Sequence, residues 1–531
     1  MENFETFGVM IDMSRNAVMS MDGLKRFLPL LKQMGYNCVM LYTEDTYEVD
    51  GEPYFGYMRG RYSKDEMKEI DAFARELGMT MIPCMQTLAH LNATLRWGQV
   101  PVDCNDILLT DDERTYELID HMFATLSECF ASRKIHIGMD EAHMLGRGKH
   151  LDIHGYETVN AIMKRHLARV LQIAEKYGYE AMIWSDMYFR PWNNGKYSIP
   201  KCEMPREIVE SVPDSVIPVY WDYYRTNEQA YSDMIENHQQ LSDKTWFAGG
   251  AWSWYGMIPY NRFTIQSMLP ALDACKKHGI KHVFMTMWGD DGAECSHFSQ
   301  LPSLFYLAEY AKGNTDEKLI KEKFKSLCGI DFDEFIAIDC PNDVVEYEGK
   351  PRNPSKYMLY SDYFNDFLDY TVKPGAGEKY KTYAEQLHAT AKKSRRYGYV
   401  FDAAAKLCDV LAIKYELGLR TRRAYEAGDK EELKRLANEE YVQVAKLMNI
   451  FGKSFEKQWM KDNKPHGFDV QDLRLGGIIR RTNACRARIL DYVNGKIDRI
   501  EELDEALLPF KEKEASINAN KAHMYATVNV G

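Results

Sequence analysis

The feature that most restricts what this chain can become is an alternation of strand-like and helix-like segments. Eight short apolar runs, at residues 8–12, 37–42, 79–85, 134–139, 180–185, 215–221, 244–251 and 282–288, have strand length. Between them lie stretches with apolar residues at helical spacing, including 23–34 closed by Gly35, 64–77 stopped at Gly78, 114–130 and 156–176. A last helix, 301–312, follows the eighth run. This pattern predicts an α/β protein whose first part is a (β/α)8, or TIM, barrel.

Beyond Gly313 the character changes. Residues 380–397, 399–427, 430–457 and 470–492 are rich in Ala, Leu, Lys and Glu at helical period, with almost no β-rich run. The reading is a barrel over 1–314 followed by an all-α C-terminal domain over 315–531, packed against the barrel or another subunit. Within the latter, Arg474-Leu475-Gly476-Gly477 predicts a turn between helices, or a place of close approach.

A chain of 531 residues with 45% hydrophobic content can bury both cores. Its net charge of -12 argues against nucleic acid or an anionic membrane as partner. The basic clusters Lys392-Lys393-Ser394-Arg395-Arg396 and Arg480-Arg481 with Arg486 and Arg488 read as solvated helix faces or interface groups. The first residues contain no cationic segment leading into an apolar run, and no apolar stretch approaches the roughly 18 residues that span a bilayer. A cytoplasmic protein is expected. Eleven cysteines without a Cys-x-x-Cys pair fit reduced thiols better than a disulfide framework or a zinc site.

In a barrel, chemistry collects where strands end. The fourth run, Lys134-Ile135-His136-Ile137-Gly138-Met139-Asp140-Glu141-Ala142-His143, stops in two adjacent carboxylates. Two carboxylates held close cannot both ionise easily, which makes one a candidate general acid. Other exits deliver Arg15, Glu44, His90, Trp184, Tyr223 and Asp290. Of the nine tryptophans, Trp184, Trp221, Trp252, Trp254 and Trp288 stand at strand ends. Indole faces stack on pyranose rings while carboxylates and Arg bond the hydroxyls, so this set favours a carbohydrate pocket.

His136-Ile137-Gly138-Met139-Asp140-Glu141 resembles the His-x-Gly-x-Asp-Glu signature of glycoside hydrolase family 20, the β-N-acetylhexosaminidases. The likeness covers essentially the whole chain, in the barrel-first form of the family with an appended helical domain; the small α/β domain that precedes the barrel in many members is not seen. The resemblance implies an exo-acting enzyme that removes terminal non-reducing β-linked GlcNAc or GalNAc. The family stands outside the two-carboxylate scheme of retaining glycosidases: the substrate's acetamido oxygen is the nucleophile and an oxazolinium is the intermediate. Asp140 is then expected to orient the acetamido group, and Glu141 to act as general acid and base, with a pKa raised toward neutrality by its neighbour.

Arg15 matches the family's arginine for ring hydroxyls. The loop Pro83-Cys84-Met85-Gln86-Thr87-Leu88-Ala89-His90 keeps the Pro and His of Pro-x-x-Asp-x-Pro-Gly-His but not its Asp or Pro-Gly. Trp184, Trp252 or Trp254, and Trp288 resemble the tryptophan box around the acetamido methyl, and Tyr223 the acetamido-binding tyrosine. The family's Glu for O4 and O6 is missing after the seventh run; Asp290 or Asp291 is the substitute, which leaves the gluco or galacto preference open. No cofactor and no metal are implied. The partner is a glycoside or short oligosaccharide ending in an N-acetylhexosamine, and a homodimer is compatible.

Two other readings stand beside this one. A metal-dependent barrel hydrolase draws on the sequence proximity of His136, Asp140, Glu141 and His143, although His136 inside a strand reads as a core histidine. A non-catalytic carbohydrate-binding protein on the same barrel is the other, against which the intact Asp140 and Glu141 argue.

Overall fold

Eight parallel strands close on themselves: β1 Thr6–Asp12, β2 Cys38–Tyr42, β3 Thr80–Cys84, β4 Lys134–His136, β5 Glu180–Trp184, β6 Val216–Trp221, β7 Trp246–Gly250 and β8 His282–Met287. Each neighbours the next, and β8 returns to β1 in a ladder from Thr6↔His282 to Ile11↔Met287. The computed structural model describes residues 4–346, 351–366 and 368–508. All eight predicted strands form, β4 shorter than its predicted run, and the C-terminal part is helical as expected.

Side chains alternate in and out along each strand, so every second residue fills the barrel. Met10, Met40, Ile82, Met182, Val219 and Phe284 belong to that interior. Tyr42 and Trp184 belong to it too, and the partly buried Trp221 and Trp288 pack against it. The helices between the strands are set by local signals. Ser63 caps Lys64–Glu76 in a reciprocal box with Glu66, Ser20 caps Met21–Met34, and Gly35 ends that helix at φ 107°.

β4 is the one strand that departs from expectation in a way that matters. The sequence predicts 134–139, but regular pairing stops at His136 and its register with β3 is the single pair Cys84↔His136. Gly138 and Met139 take left-handed backbone, φ 71° and 70°, which no ladder accommodates.

The chain divides into two units. The first runs to Ala251 and includes Phe263–Trp288 and Ser303–Ile320; the second comprises Trp252–Arg262, Gly289–Pro302 and the chain from Lys321 onward. In the second, the long helix Gly398–Glu426 is buried along much of its length and packs on Ala376–Lys393 and Glu440–Asp462. The predicted single helix over 430–457 is two, Lys430–Asn438 and Glu440–Asp462, meeting at Glu439. Leu433, Leu436, Tyr441, Val444 and Met448 are buried at helical spacing straight across that junction, so periodicity cannot see it.

The sequence at Arg474–Gly477 misleads in the opposite direction. It lies inside one continuous helix, Phe468–Val493, and a Cβ at Gly476 or Gly477 would have nothing within 4 Å. There is no turn, and no described residue of this chain closes on the pair; flanking apolar residues hold the helix through it.

The second unit also contains a cluster of buried ions. Lys356 Nζ lies 2.7 Å from Asp291 and 2.9 Å from Glu294, while Arg474 lies 2.9 Å from Asp291 and 3.3 Å from Glu294. The Tyr360 hydroxyl donates to Glu294 at 3.2 Å. Among the described residues, no helix is long and apolar enough to cross a membrane.

Candidate active site

The exit of β4 is where two sequence neighbours come to share a partner, with His90 Nε2 3.1 Å from Asp140 and 4.0 Å from Glu141. In a regular strand Asp140 and Glu141 would face opposite ways. Here the ladder continues loosely, with Ile137 N–H donating to Met182 O at 2.8 Å and Trp184 N–H to Gly138 O at 3.2 Å. Left-handed Gly138, Met139 and Glu141 (φ 50°) then turn the chain. Gly138 is required twice over, by its φ and because a Cβ there would sit 2.0 Å from Gln86 Oε1.

Gln86, from the loop after β3, fixes this turn. Its Oε1 accepts from Met139 N–H at 3.0 Å, and its Nε2 donates to Asp140 Oδ1 at 2.7 Å and to the Tyr42 hydroxyl at 2.8 Å. The other Asp140 oxygen pairs with His90 Nε2 at 3.1 Å. His90 is itself left-handed, φ 60°, and its N–H donates to Asp106 at 3.1 Å. Burial alone would raise the Asp140 carboxyl, but the His90 charge and the bonds from His90 and Gln86 outweigh it and hold the pKa at about 2. Burial disfavours charge on His90, and Asp140 overrides it to about 9.

Glu141 has different surroundings. Its side chain is 39% exposed and pairs with Arg190 Nη2 at 3.1 Å. Arg190 Nε also donates to Asp186 at 2.8 Å, and Asp186 accepts the Glu141 backbone N–H at 3.0 Å. Asp186 is fully buried; that burial and the charges of Asp140 and Glu141 raise its carboxyl to about 7 despite Arg190. Asp186 stands two residues beyond Trp184 at the end of β5.

Arg15 and Glu44 join from β1 and β2. Arg15 lies 3.8 Å from Asp12 and 3.5 Å from Glu44, and the Tyr42 hydroxyl donates to Glu44 at 3.1 Å. Burial raises the Glu44 pKa, with Arg15 and His90 opposing. Arg15, Glu44, His90, Asp140 and Glu141, all singled out in the sequence, thus form one contiguous network. Gln86, Tyr42, Asp186 and Arg190 complete it and were not assigned roles. Gln86 stands where the resemblance expects Asp, and Arg190 follows Asp186 by one helical turn.

The aromatic candidates divide. Trp184 is 1% exposed, its ring 4.3 Å from His136 and 6.0 Å from Trp288, so it is the top of the barrel core. Trp288 meets Tyr42 edge-on at 4.8 Å. Tyr223 stacks on Trp221 at 5.7 Å, and the Arg190 guanidinium lies 5.8 Å from the Trp221 ring. Trp252, Trp254 and Asp290 belong to the second unit. There the two indoles pack 4.5 Å apart and are buried, and Tyr255 has its pKa raised by burial and by the charge of Asp290. Asp291, the alternative to Asp290, is engaged by Lys356 and Arg474.

His136 is fully buried and its Nδ1 accepts from Gly138 N–H at 3.1 Å, while Nε2 has no hydrogen-bond partner among the described residues. Burial lowers its pKa to about 3. His143 is exposed, so the histidines close in sequence do not form a ligand set. Among the described residues, His90, Asp140 and Glu141 do bring donor atoms within 4.8 Å. Asp111, His150 and Glu157 form a second such group, whose two carboxylates are both bonded by Arg165.

The model for the catalytic domain of glycosyl hydrolase family 20 matches residues 4–230, and that for the glycoside hydrolase 20C C-terminal domain matches 331–522. The chain belongs to glycoside hydrolase family 20. The family 20 catalytic match contains β1 through β6 and every member of the carboxylate network. Human hexosaminidase D is 24% identical over 215 residues, 38% of this chain and 41% of that protein. Hexosaminidase D of Bos taurus is 25% identical over 211 residues, 38% of this chain and 58% of that protein. The family 20 exo β-N-acetylglucosaminidase of Vibrio harveyi aligns with a TM-score of 0.48 and 15% identity over 63% of this chain and 58% of its own. This chain spans less than two thirds of each of these relatives.

Proposed function

We propose that this protein is a glycoside hydrolase, an exo-acting β-N-acetylhexosaminidase that removes terminal non-reducing β-linked GlcNAc or GalNAc with retention. In this reading residues 1–314 carry catalysis and 315–531 are assigned to the helical domain, of which 347–350, 367 and 509–531 lie outside the described residues. The observation that carries it is the contrast between adjacent carboxylates at the β4 exit: Asp140 is buried and held ionised at about 2, and Glu141 is 39% exposed beside Arg190. A substrate-assisted reaction asks for that division, one fixed anion and one group that trades a proton.

Asp140 accepts the acetamido N–H, aims the acetamido oxygen at C1 and balances the charge that grows on the oxazolinium. Its rigidity comes from Gln86 and His90, which hold both oxygens. Because the nucleophile is part of the substrate, attack is effectively unimolecular, which offsets several kcal/mol of barrier, about 7 or more at best. Glu141 protonates the leaving oxygen and then activates water. Arg190 holds Oε1, and Oε2, 4.0 Å from His90 Nε2, is the oxygen that exchanges the proton.

Arg15 and Glu44 supply contacts for ring hydroxyls, and Tyr223 with Trp184 and Trp288 the acetamido wall. Trp252, Trp254 and Asp290 are kept as sugar contacts on their strand-exit positions in the sequence. The reading is tested by hydrolysis of 4-nitrophenyl β-N-acetylglucosaminide, its galactosamine analogue and the plain β-glucoside, by the wild type and Glu141→Gln. Turnover of the acetamido sugars alone, lost in the variant, is expected. Equal turnover of the plain glucoside would remove the acetamido nucleophile from the mechanism.

A further inference from the structure

The loop after β5 places one guanidinium between two carboxylates. Arg190 Nε donates to Asp186 Oδ2 at 2.8 Å, and Nη2 donates to Glu141 Oε1 at 3.1 Å. Asp186 Oδ2 also accepts the Glu141 backbone N–H at 3.0 Å, so main chain and side chain both tie the two acids together. Asp186 is fully buried, and its Oδ1 has no hydrogen-bond partner among the described residues. A buried carboxylate with one oxygen undonated is costly to ionise, which makes the guanidinium its main support.

The guanidinium is held on its other sides as well. Nη1 donates to Gly195 O at 3.2 Å, and the central carbon lies 5.8 Å from both the Tyr197 and the Trp221 rings. Tyr197 is fixed in turn, its hydroxyl 2.7 Å from Ser185 Oγ and accepting the Trp221 N–H at 3.2 Å. Ser185 Oγ also lies 2.7 Å from Nε2 of His238, which burial keeps neutral with a pKa of about 3. Arg190 is thus fastened between the two acids rather than free to follow one of them.

The charges around the pair can be counted. Asp140 faces it from the β4 exit, and His90, 4.0 Å from Glu141, faces it from the loop after β3. Arg15 and Glu44 act on His90 from the exits of β1 and β2. Tyr197, kept neutral by burial, feels Asp186 and, from the β6 exit, Asp222. His90 is committed to Asp140 at 3.1 Å. With a proton on Glu141, His90 pairs with Asp140 and Arg190 with Asp186. With that proton on Asp186 instead, Arg190 pairs with Glu141, which then has nothing to donate. Burial and the charges of Asp140 and Glu141 raise Asp186 to about 7, so the two acids compete for one proton near neutrality.

We propose that Asp186 is a positioning residue for the proton of Glu141: by engaging Arg190 it leaves Glu141 neutral and able to donate, and Arg190 then steadies the anion that forms. This rests on the hydrolase reading, in which Glu141 is the acid. The proton passes to the leaving oxygen as the bond from C1 to that oxygen breaks and its electron pair stays on the oxygen. The water that opens the oxazolinium returns a proton to Glu141. Asp186 and Arg190 end the turnover with the protons they began with.

Both hydrogen bonds of Asp186 end on Oδ2, so Asp186→Asn with its amide oxygen in that place keeps them and removes the charge alone. Losing a neighbouring anion lowers the proton affinity of Glu141, and losing the cation raises it. The test follows kcat/KM against pH on methyl β-N-acetylglucosaminide and its galactosamine analogue, whose alkoxide leaving group needs the proton. The alkaline limb that precedes the fall expected from His90 at about 9 is the one to read. It should move down by about one pH unit in Asp186→Asn, up by about one in Arg190→Gln, and stay in place in Arg190→Lys. A limb that keeps its wild-type position, or moves the same way in the Asn and Gln variants, overturns the proposal. In parallel, the Glu141 carboxyl carbon, labelled with carbon-13 glutamate and identified by its loss in Glu141→Gln, is titrated by NMR in the same variants. Its midpoint should shift in the same opposite directions. If the wild type turns over neither glycoside, the hydrolase reading fails and the titration alone decides: a midpoint unmoved in Asp186→Asn overturns the coupling of the two acids. If Asp186→Asn does not fold, the two Arg190 variants decide in its place, equal midpoints in both overturning it.

Discussion

Two clusters of buried charge in this protein are built on opposite principles. In the second unit, Asp291 and Glu294 face Lys356 and Arg474, each anion contacting both cations. At the β4 exit, Asp12, Glu44, Asp140, Glu141 and Asp186 share Arg15, His90 and Arg190. The matched cluster leaves no buried charge without an opposite, and its role is to hold segments together. Among the described residues, the second, unmatched cluster brings five carboxylates to three cations. It responds by splitting its carboxylates, with Asp140 pressed down to about 2 and Asp186 lifted to about 7. Surplus charge in a confined space is how a site acquires groups that titrate near neutrality.

If the difference is real, breaking the unmatched cluster should cost rate and breaking the matched one should cost stability. The largest effect is expected from Glu141→Gln, with kcat/KM on the accepted N-acetylhexosaminide falling by roughly 10²–10⁴-fold while the melting temperature moves little, since this side chain is partly exposed. A variant that lost its fold together with its activity would contradict the assignment. Lys356→Met comes next. It strands two carboxylates on one arginine, and urea unfolding should show a loss of about 3–5 kcal/mol. A loss under about 1 kcal/mol would mean that the cluster holds nothing together.

The third effect is a pH dependence. Asp186 folds with a pKa near 7, above its unfolded value, so the native state binds more protons than the unfolded one in between. Its contribution to stability is present below about 4 and is lost as pH rises through 7. Asp186→Asn removes that loss, so the variant should gain on wild type between pH 5 and pH 8 in urea midpoint. A difference that stays constant with pH would place the proton elsewhere.

These tests also separate what could be read in the sequence from what could not. The barrel was legible because eight strands and their helices each leave a local signature, and Asp140, Glu141, Arg15, Glu44 and His90 stood at exits where a barrel collects chemistry. Gln86 was not legible as a clamp: its role depends on the left-handed turn at Gly138 and Met139, which shortens β4 and brings a side chain from β3 against it. Arg190 was missed because it reaches Glu141 by length, from a turn beyond the strand end. The corner at Glu439 and the unbroken helix through Gly476 and Gly477 escaped for one reason. Periodicity records which face is buried, while backbone direction is decided by packing.

The smallest effect sharpens the comparison most, because it asks whether His90 serves the unmatched cluster as Lys356 serves the matched one. His90 has a folded pKa of about 9, above its ordinary value, so its contribution is complete below about 6.5 and lost as pH rises through 9. Asp140, at about 2, contributes above about 4 and loses that contribution as pH falls through 2. His90→Gln removes the cation and leaves Gln86 as the clamp, so the Asp140 pKa must rise. The acid limb of kcat/KM should then move upward, with the ratio of variant to wild-type rate lower at pH 5 than at pH 7, and the loss at pH 7 should be roughly tenfold or less. The alkaline fall near 9 expected of wild type from this pair should be absent in the variant. Parallel profiles displaced by a constant factor would make His90 a packing residue, and the charge balance at the β4 exit would then owe its asymmetry to Arg190 and Gln86 alone.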